Sequence, residues 1–162
     1  MGQSPSSKNY TDNPNDYILV QGNADIKDKQ VVPRLWTTEV TKMAEIGDII
    51  LTVRAPVGDI GKTDYNVVIG RGVAAIKGND FIFYTLEKMK KTGFWNRFST
   101  GSTFESISSN DIKEAIIQIP ILKEQQAIGA YFSNLDKLIS SYQEKISQLE
   151  TLKKKLLQDM FI

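Results

Sequence analysis

Residues 135–160 contain neither glycine nor proline, and their apolar side chains recur at helical spacing. Leu135, Leu138, Ile139, Tyr142, Ile146, Leu149, Leu152, Leu156 and Met160 follow one another mostly at steps of three or four residues. Such steps keep side chains on one face of a helix with 3.6 residues per turn. A strict heptad count from Leu135 also lands on Lys145 and Asp159, so the seam is imperfect, and Ile146 and Met160 widen it. About 26 residues at 1.5 Å each make a rod of roughly 39 Å. A stripe of that length exceeds what a domain of roughly 130 residues covers by itself. The expectation is a projecting helix mated to a second helix, with folding back onto its own domain as the alternative.

The residues ahead of this helix read as a β-rich domain. Residues 1–16 are polar and rich in Ser, Asn and Pro, and read as loop. Residues 17–20 form a short apolar run suited to a buried strand. Residues 21–45 are mixed, with a strand at 30–32 and a turn or short helix near 39–44. Ile49, Ile50, Leu51 and Val53 lie between Gly47-Asp48 and Ala55-Pro56, the pattern of a strand with a turn signal at each end. Residues 57–60, 66–69 and 73–76 read as further strands, with a tight turn at Gly70-Arg71-Gly72. Phe81, Ile82, Phe83, Leu86 and Met89 among lysines predict an amphipathic helix ended by Gly93. Residues 116–119 read as a strand stopped by Pro120. Residues 123–132 suit a short helix, and Ser133-Asn134-Leu135-Asp136 reads as a capping box that starts a second, longer one after a break. The expected architecture is α+β or mixed α/β. A β-rich head, residues 1–132, precedes a long C-terminal helix, residues 133–162, that enters an antiparallel helical pair or coiled coil.

Composition closes most routes to catalysis. The chain has no cysteine and no histidine. That excludes disulfides, zinc sites built on Cys or His, a cysteine nucleophile, a Ser-His-Asp triad and a histidine base. No metal site and no catalytic residue is expected. No apolar run approaches a membrane span, and residues 1–10 lack the apolar core of a signal peptide, so a cytoplasmic location is expected. Two motif-like stretches fail on inspection. Asp12-Asn13-Pro14-Asn15-Asp16 lacks the second proline and the aromatic residue of an amino-methyltransferase motif and reads as a turn. Gly61-Lys62-Thr63 would end a phosphate loop only with glycine at position 56, which is Pro56.

With 20 basic and 19 acidic residues the chain is nearly neutral, so clustering decides what its charges do. Arg54 and Arg71 flank strand ends in turns. Lys88, Lys90, Lys91 and Arg97 face only Glu87 within residues 81–104 and interleave with Phe94 and Trp95. Gly101-Ser102-Thr103 is a loop with hydroxyl and backbone donors. Each of these has a plain reading as solvated charge, core ring or turn. Each also suits a phosphate contact or, for the arginines, a bidentate guanine contact.

Several stretches together resemble one family. They are Gly2-Gln3-Ser4-Pro5-Ser6, Gly47-Asp48-Ile49-Ile50-Leu51, Ala55-Pro56-Val57-Gly58-Asp59-Ile60-Gly61 and Gly101-Ser102-Thr103-Phe104-Glu105-Ser106-Ile107-Ser108. Ile119-Pro120-Ile121-Leu122-Lys123-Glu124-Gln125-Gln126-Ala127-Ile128 follows, then residues 149–158 of the long helix. In this order and spacing they resemble the type I restriction-modification specificity subunits, over nearly the whole chain. The resemblance implies a target recognition domain and a spacer helix that read one half of a split double-stranded DNA site, without catalysis. The candidate DNA-binding residues are then Ser6, Ser7, Lys8, Arg54, Arg71, Lys90, Lys91, Arg97, Ser102 and Thr103. Leu135, Leu138, Tyr142, Ile146, Leu149, Leu152, Leu156 and Met160 are the candidate dimerisation residues, and the helix length is near the roughly 34–36 Å of one DNA turn.

The partners implied are methyltransferase and restriction subunits, to which S-adenosylmethionine, ATP and Mg would belong, and a second specificity half. The chain itself needs no cofactor. The family carries two such units per chain and usually a strand and helix upstream. This sequence carries one unit, the form a natural half subunit, a rearrangement product or a fragment would have. The alternative reading is an adaptor that docks a methyltransferase through its helix and does not bind DNA.

Overall fold

The structure, a computed structural model, describes residues 1–98 and 106–161. Among the described residues, ten short strands build the head. They are β1 (Tyr10–Thr11), β2 (Tyr17–Val20), β3 (Ile26–Lys27), β4 (Gln30–Val31), β5 (Trp36–Thr37), β6 (Met43–Ala44), β7 (Ile49–Thr52), β8 (Ile60–Lys62), β9 (Val67–Ile69) and β10 (Val73–Ile76). Helix α1 (Asp80–Lys91) follows, then a 3-10 turn at Phe94–Phe98, the short helix α2 (Ser109–Lys113) and the long helix α3 (Leu122–Met160). One sheet runs β1-β5-β2-β9-β6 and the other β10-β7-β8-β4-β3. Both are mixed: β2 pairs parallel with β9, Leu19 opposite Val68, and β4 pairs parallel with β8.

Strand β7 is buried at every position, which explains the unbroken apolar run Ile49-Ile50-Leu51. Successive side chains of a strand point to opposite faces. Ile49 and Leu51 join a core with Val53, Phe83, Leu86, Met89 and Trp95 under α1. Ile50 points the other way, into a second core with Val20, Ala44, Val67, Ile69 and Val73 between the sheets. Neighbouring β10 divides likewise, Ala74 to the first core and Val73 to the second. A strand with no solvent face reads as a continuous apolar run.

Helix α1 starts where Asn79 accepts a hydrogen bond from the Ile82 backbone N–H (3.2 Å). It ends at Gly93, whose φ of +69° is the left-handed conformation that terminates helices. Its buried residues Phe83, Leu86 and Met89 lie on one face, as expected from the sequence.

Four local expectations are corrected. The turn or helix near 39–44 is instead strand β6 at Met43–Ala44, pairing antiparallel with β9. The strand expected at 57–60 begins only at Ile60, because Gly58 turns the chain with φ +89°. Residues 116–119 form no strand, and Ile116 and Ile119 are exposed. The break expected at Ser133 does not occur: α3 runs unbroken through it. Asp136, read as the capping partner of Ser133, turns its carboxylate to Lys29 and Tyr84 instead, and the backbone keeps its i to i−4 bonds. At 39 residues α3 is about 58 Å long. No helix among the described residues is long and apolar enough to cross a membrane.

Candidate DNA interface and pairing helix

The N-terminal segment, read as loop, is stitched into the head. The Gly2 N–H donates to the Val73 carbonyl (2.9 Å) and the Gln3 N–H to the Ile69 carbonyl (2.8 Å). A Cβ on Gly2 would lie 2.2 Å from the Gly70 carbonyl oxygen, so only glycine fits this approach. The same holds at Gly72, where a Cβ would lie 2.0 Å from the Gln21 carbonyl oxygen. These two contacts draw three backbone segments around the β9–β10 turn. The Arg71 N–H donates to Ser4 Oγ (3.0 Å), and the Val53 N–H donates to the Gly72 carbonyl (2.8 Å), which brings Arg54 alongside. The result is a cleft lined by Ser4, Gln21, Gly22, Asn23, Arg54, Ala55, Arg71 and Gly72.

Arg54 and Arg71, chosen separately from sequence, thus share one site, and both are exposed. Two guanidinium groups, two side-chain amides and a hydroxyl offer donors in fork geometry with a few acceptors. That set suits phosphate oxygens or the O6 and N7 edge of guanine. Ser4, Gln21 and Asn23 were not singled out from sequence. The glycines of the turn were the available signal, because they mark where backbones converge.

Ser6, Ser7 and Lys8 are exposed, at and beside the 3-10 turn Ser7–Asn9. The turn is pinned by Glu39, which accepts from the Ser6 N–H (2.8 Å) and Asn9 Nδ2 (2.7 Å). The Ser6 bond first, then the Asn9 bond, hold the Glu39 carboxyl below its ordinary pKa.

The basic window on α1 is less free than its sequence suggests. Lys90 pairs with Asp59, and Lys91 with Glu87 at 2.7 Å. Arg97 is exposed and stacks on the rings of Phe94 (3.7 Å) and Phe98 (4.8 Å). Trp95 is core, wedged against Gly58, where a Cβ would come within 2.6 Å of the indole. The loop 53–59 therefore joins the Arg54 cleft at one end to the Lys90 region at the other. Ser102 and Thr103 lie outside the described residues.

The helix α3 has two working faces. Gln125 accepts a hydrogen bond from Asn79 Nδ2 (2.9 Å). Gly129 is buried, and a Cβ there would sit 2.7 Å from Asp80 Cβ. Phe132 packs on Tyr84, ring centroids 5.3 Å apart. Asp136 accepts from the Tyr84 hydroxyl (2.8 Å) and from Lys29 Nζ at 2.8 and 2.7 Å, while Lys29 also reaches Glu87 at 3.0 Å. Burial opposes the charge on Lys29, but its bonds to Asp136 and Glu87 outweigh that and raise its pKa. Burial likewise works against the Asp136 carboxylate, and the bonds from Lys29 and Tyr84 overcome it and lower the pKa. The Tyr84 hydroxyl is pushed upward by burial and then by its bond to that carboxylate.

At about 100° per residue, Gln125, Gly129, Phe132 and Asp136 fall within about 60° of one another. Ile128, Tyr131, Leu135, Leu138 and Tyr142 centre about 110° away from them. The face that seats the helix is therefore not the apolar stripe. Every described residue from 137 onward is exposed, including Leu138, Tyr142, Ile146, Leu149 (64%), Leu152 (51%), Leu156 and Met160; Leu135 is exposed as well. The stripe leaves the head uncovered, as the sequence led one to expect. An uncovered apolar ridge of this length marks an interaction surface.

Residues 1–151 match the model of the type I restriction modification DNA specificity domain. The chain belongs to this family. A Methanocaldococcus jannaschii protein assigned as the type I restriction enzyme MjaX specificity subunit is 34% identical over 97% of this chain and 38% of its own length. The MjaIX specificity subunit of the same organism is 28% identical over 72% of this chain and 28% of its own length. Among solved structures, the HsdS subunit from Thermoanaerobacter tengcongensis superposes with a TM-score of 0.74 at 28% identity, over 99% of this chain and 41% of that one. A chain from a structure described as the basis of complex assembly and conformational transition of the type I R-M system gives 0.82 at 30% identity, over 98% and 40%. The chain spans between 28% and 41% of the length of these relatives. The specificity domain fold thus includes both the mixed-sheet head and the seated helix.

Proposed function

We propose that this specificity domain reads one half of a bipartite DNA site through its head. Its long helix pairs antiparallel with a second such helix and sets the distance between the two half-sites. The observation that carries the reading is the combination, in a member of this family, of an arginine cleft on the head with an uncovered apolar stripe on the helix. Residues 1–132 act as the reading head and residues 133–162 as spacer, with the seat on residues 125–136 overlapping that boundary. The domain acts without catalysis of its own. S-adenosylmethionine, ATP and Mg belong to the methyltransferase and restriction subunits it assembles with.

Methylation-site sequencing tests this in cells expressing the chain with its methyltransferase subunit. The expected result is a split motif whose half-site bases change when Arg54 or Arg71 is replaced. An unsplit motif, or one indifferent to both arginines, refutes the reading.

A second reading is an adaptor that docks the methyltransferase and leaves DNA alone. The pairing of Lys90 with Asp59 and of Lys91 with Glu87 favours it, since those cations are already neutralised. A duplex titration over a salt series separates the two. Phosphate contacts give a negative slope of log K on log salt, and the adaptor gives no binding without its partner.

A further inference from the structure

We propose that the cluster Lys29, Tyr84, Glu87 and Asp136 fixes the angle at which α3 leaves the head, and thereby the spacing between half-sites. This rests on the reading above, in which two heads are held apart by their helices. Asp136 is the outermost of the contacts described above that seat α3, and every described residue beyond it is exposed. Of the contacts nearer the helix start, the Gln125–Asn79 bond anchors the first turn but lies too close to the pivot to fix the direction of the far end. Gly129 is a close approach about which a helix can rock, and Phe132 on Tyr84 is a ring contact that tolerates sliding.

The Asp136 carboxylate is instead held from two directions. Lys29 comes from the β3–β4 hairpin turn, where it adopts φ +65°. Tyr84 comes from α1, and Glu87 on the same helix holds the other side of the Lys29 ammonium. Charge-assisted bonds at 2.7 and 2.8 Å are directional, so they restrain both tilt and lateral swing.

The lever is long. From Gly129 to Met160 the helix runs about 46 Å, so each slack of about 10° at the pivot moves the tip by about 8 Å. At about 3.4 Å per base pair, that is about two base pairs of DNA. The side chains of Lys29 and Asp136 remain about one-third exposed, at 35% and 33%. Ion pairs so placed contribute little to stability. The cluster therefore acts through geometry, and its loss leaves the head folded.

The experiment compares wild type with Asp136→Asn, Lys29→Met and Tyr84→Phe by methylation-site sequencing, each co-expressed with the methyltransferase subunit. The last variant keeps the ring on Phe132 and removes only the hydroxyl. Wild type is expected to use one spacer length. The variants keep the half-site bases but accept neighbouring spacer lengths within about threefold. Variants that hold the single spacing as sharply as wild type overturn the proposal while leaving the half-site reading intact. A wild-type motif that is not split overturns both.

A second readout needs no DNA. The chain has no cysteine, so spin labels at Asn15→Cys and Gln158→Cys report the head-to-tip distance in labelled chain diluted with unlabelled chain. A narrow distribution that broadens with Asp136→Asn supports the proposal, and equal widths refute it.

Discussion

Replacing Leu149 and Leu152 by aspartate tests the pairing stripe most directly. Both side chains are more than half exposed in the single chain, at 64% and 51%. Covering the exposed half of a leucine gains about 1 kcal/mol, because full burial is worth about 1.5–3 kcal/mol. In a symmetric pair each substitution occurs twice. The double variant therefore loses about 4 kcal/mol of apolar burial, before the cost of bringing carboxylates into the seam. That is about three orders of magnitude in the dissociation constant. Sedimentation across a concentration series reads it, with circular dichroism to confirm that helix is retained. The wild type is expected to dimerise, and the variant to be monomeric at concentrations where wild type is fully paired. A wild-type chain that stays monomeric at high concentration with its helix intact refutes the reasoning, as does a variant with an unchanged midpoint.

Arg71→Ala and Arg54→Ala each remove one guanidinium from the cleft. Each is expected to cost about 1–3 kcal/mol of DNA binding and to relax base preference at one position, read by binding to a randomised half-site pool. Gly72→Ala drives a Cβ into the Gln21 carbonyl and is expected to destabilise the head by about 2–3 kcal/mol, lowering Tm by roughly 5–10 °C; an unchanged melt would show that the turn yields freely. Gly129→Ala improves helix propensity by about 1 kcal/mol but lifts α3 off Asp80. Its expected signature is a displaced head-to-tip distance with little change in melting, measured with the same spin-label pair.

The seat of α3 also has a pH window. Asp136 titrates below its ordinary 3.8, so its contribution is present above that value and is lost as pH falls through the lower folded pKa. Lys29 titrates above its ordinary 10.5, so its contribution is complete below that value and is lost as pH rises through the higher folded pKa. The head-to-tip distance is therefore expected to stay constant between about pH 5 and 10. Broadening centred near neutrality would contradict this.

The sequence revealed elements whose residues are buried on a regular period. Strands β2, β7, β9 and β10 and helix α1 all fill the two cores, and their apolar positions say so. The long helix was legible from residue 135 onward, where neither glycine nor proline interrupts it, but its first turns were read as a separate helix. What stayed hidden was held by backbone pairing rather than by side-chain pattern. The two-residue strands β1 and β5 join opposite Tyr10 and Thr37, and nothing in so short a run signals a partner. Ile116 and Ile119 misled in the other direction: both are exposed, their run pairs with no strand, and Ile117 between them packs against the core. Arg54 and Arg71 were readable as cations, but their meeting depends on Gly2 and Gly72, whose role appears only in three dimensions. Asp136 misled because its local pattern fitted a helix start, whereas its partner Lys29 lies 107 residues away.

The separation of the two working faces of α3 shapes how a pair would form. One face is already docked within the chain, and the other is bare, so neither must be vacated before the other is used. A single chain thus holds its strut against the head with the stripe already bare. On the proposed pairing, assembly would need only a rigid-body meeting of two ready surfaces, its speed governed by collision and alignment rather than by refolding.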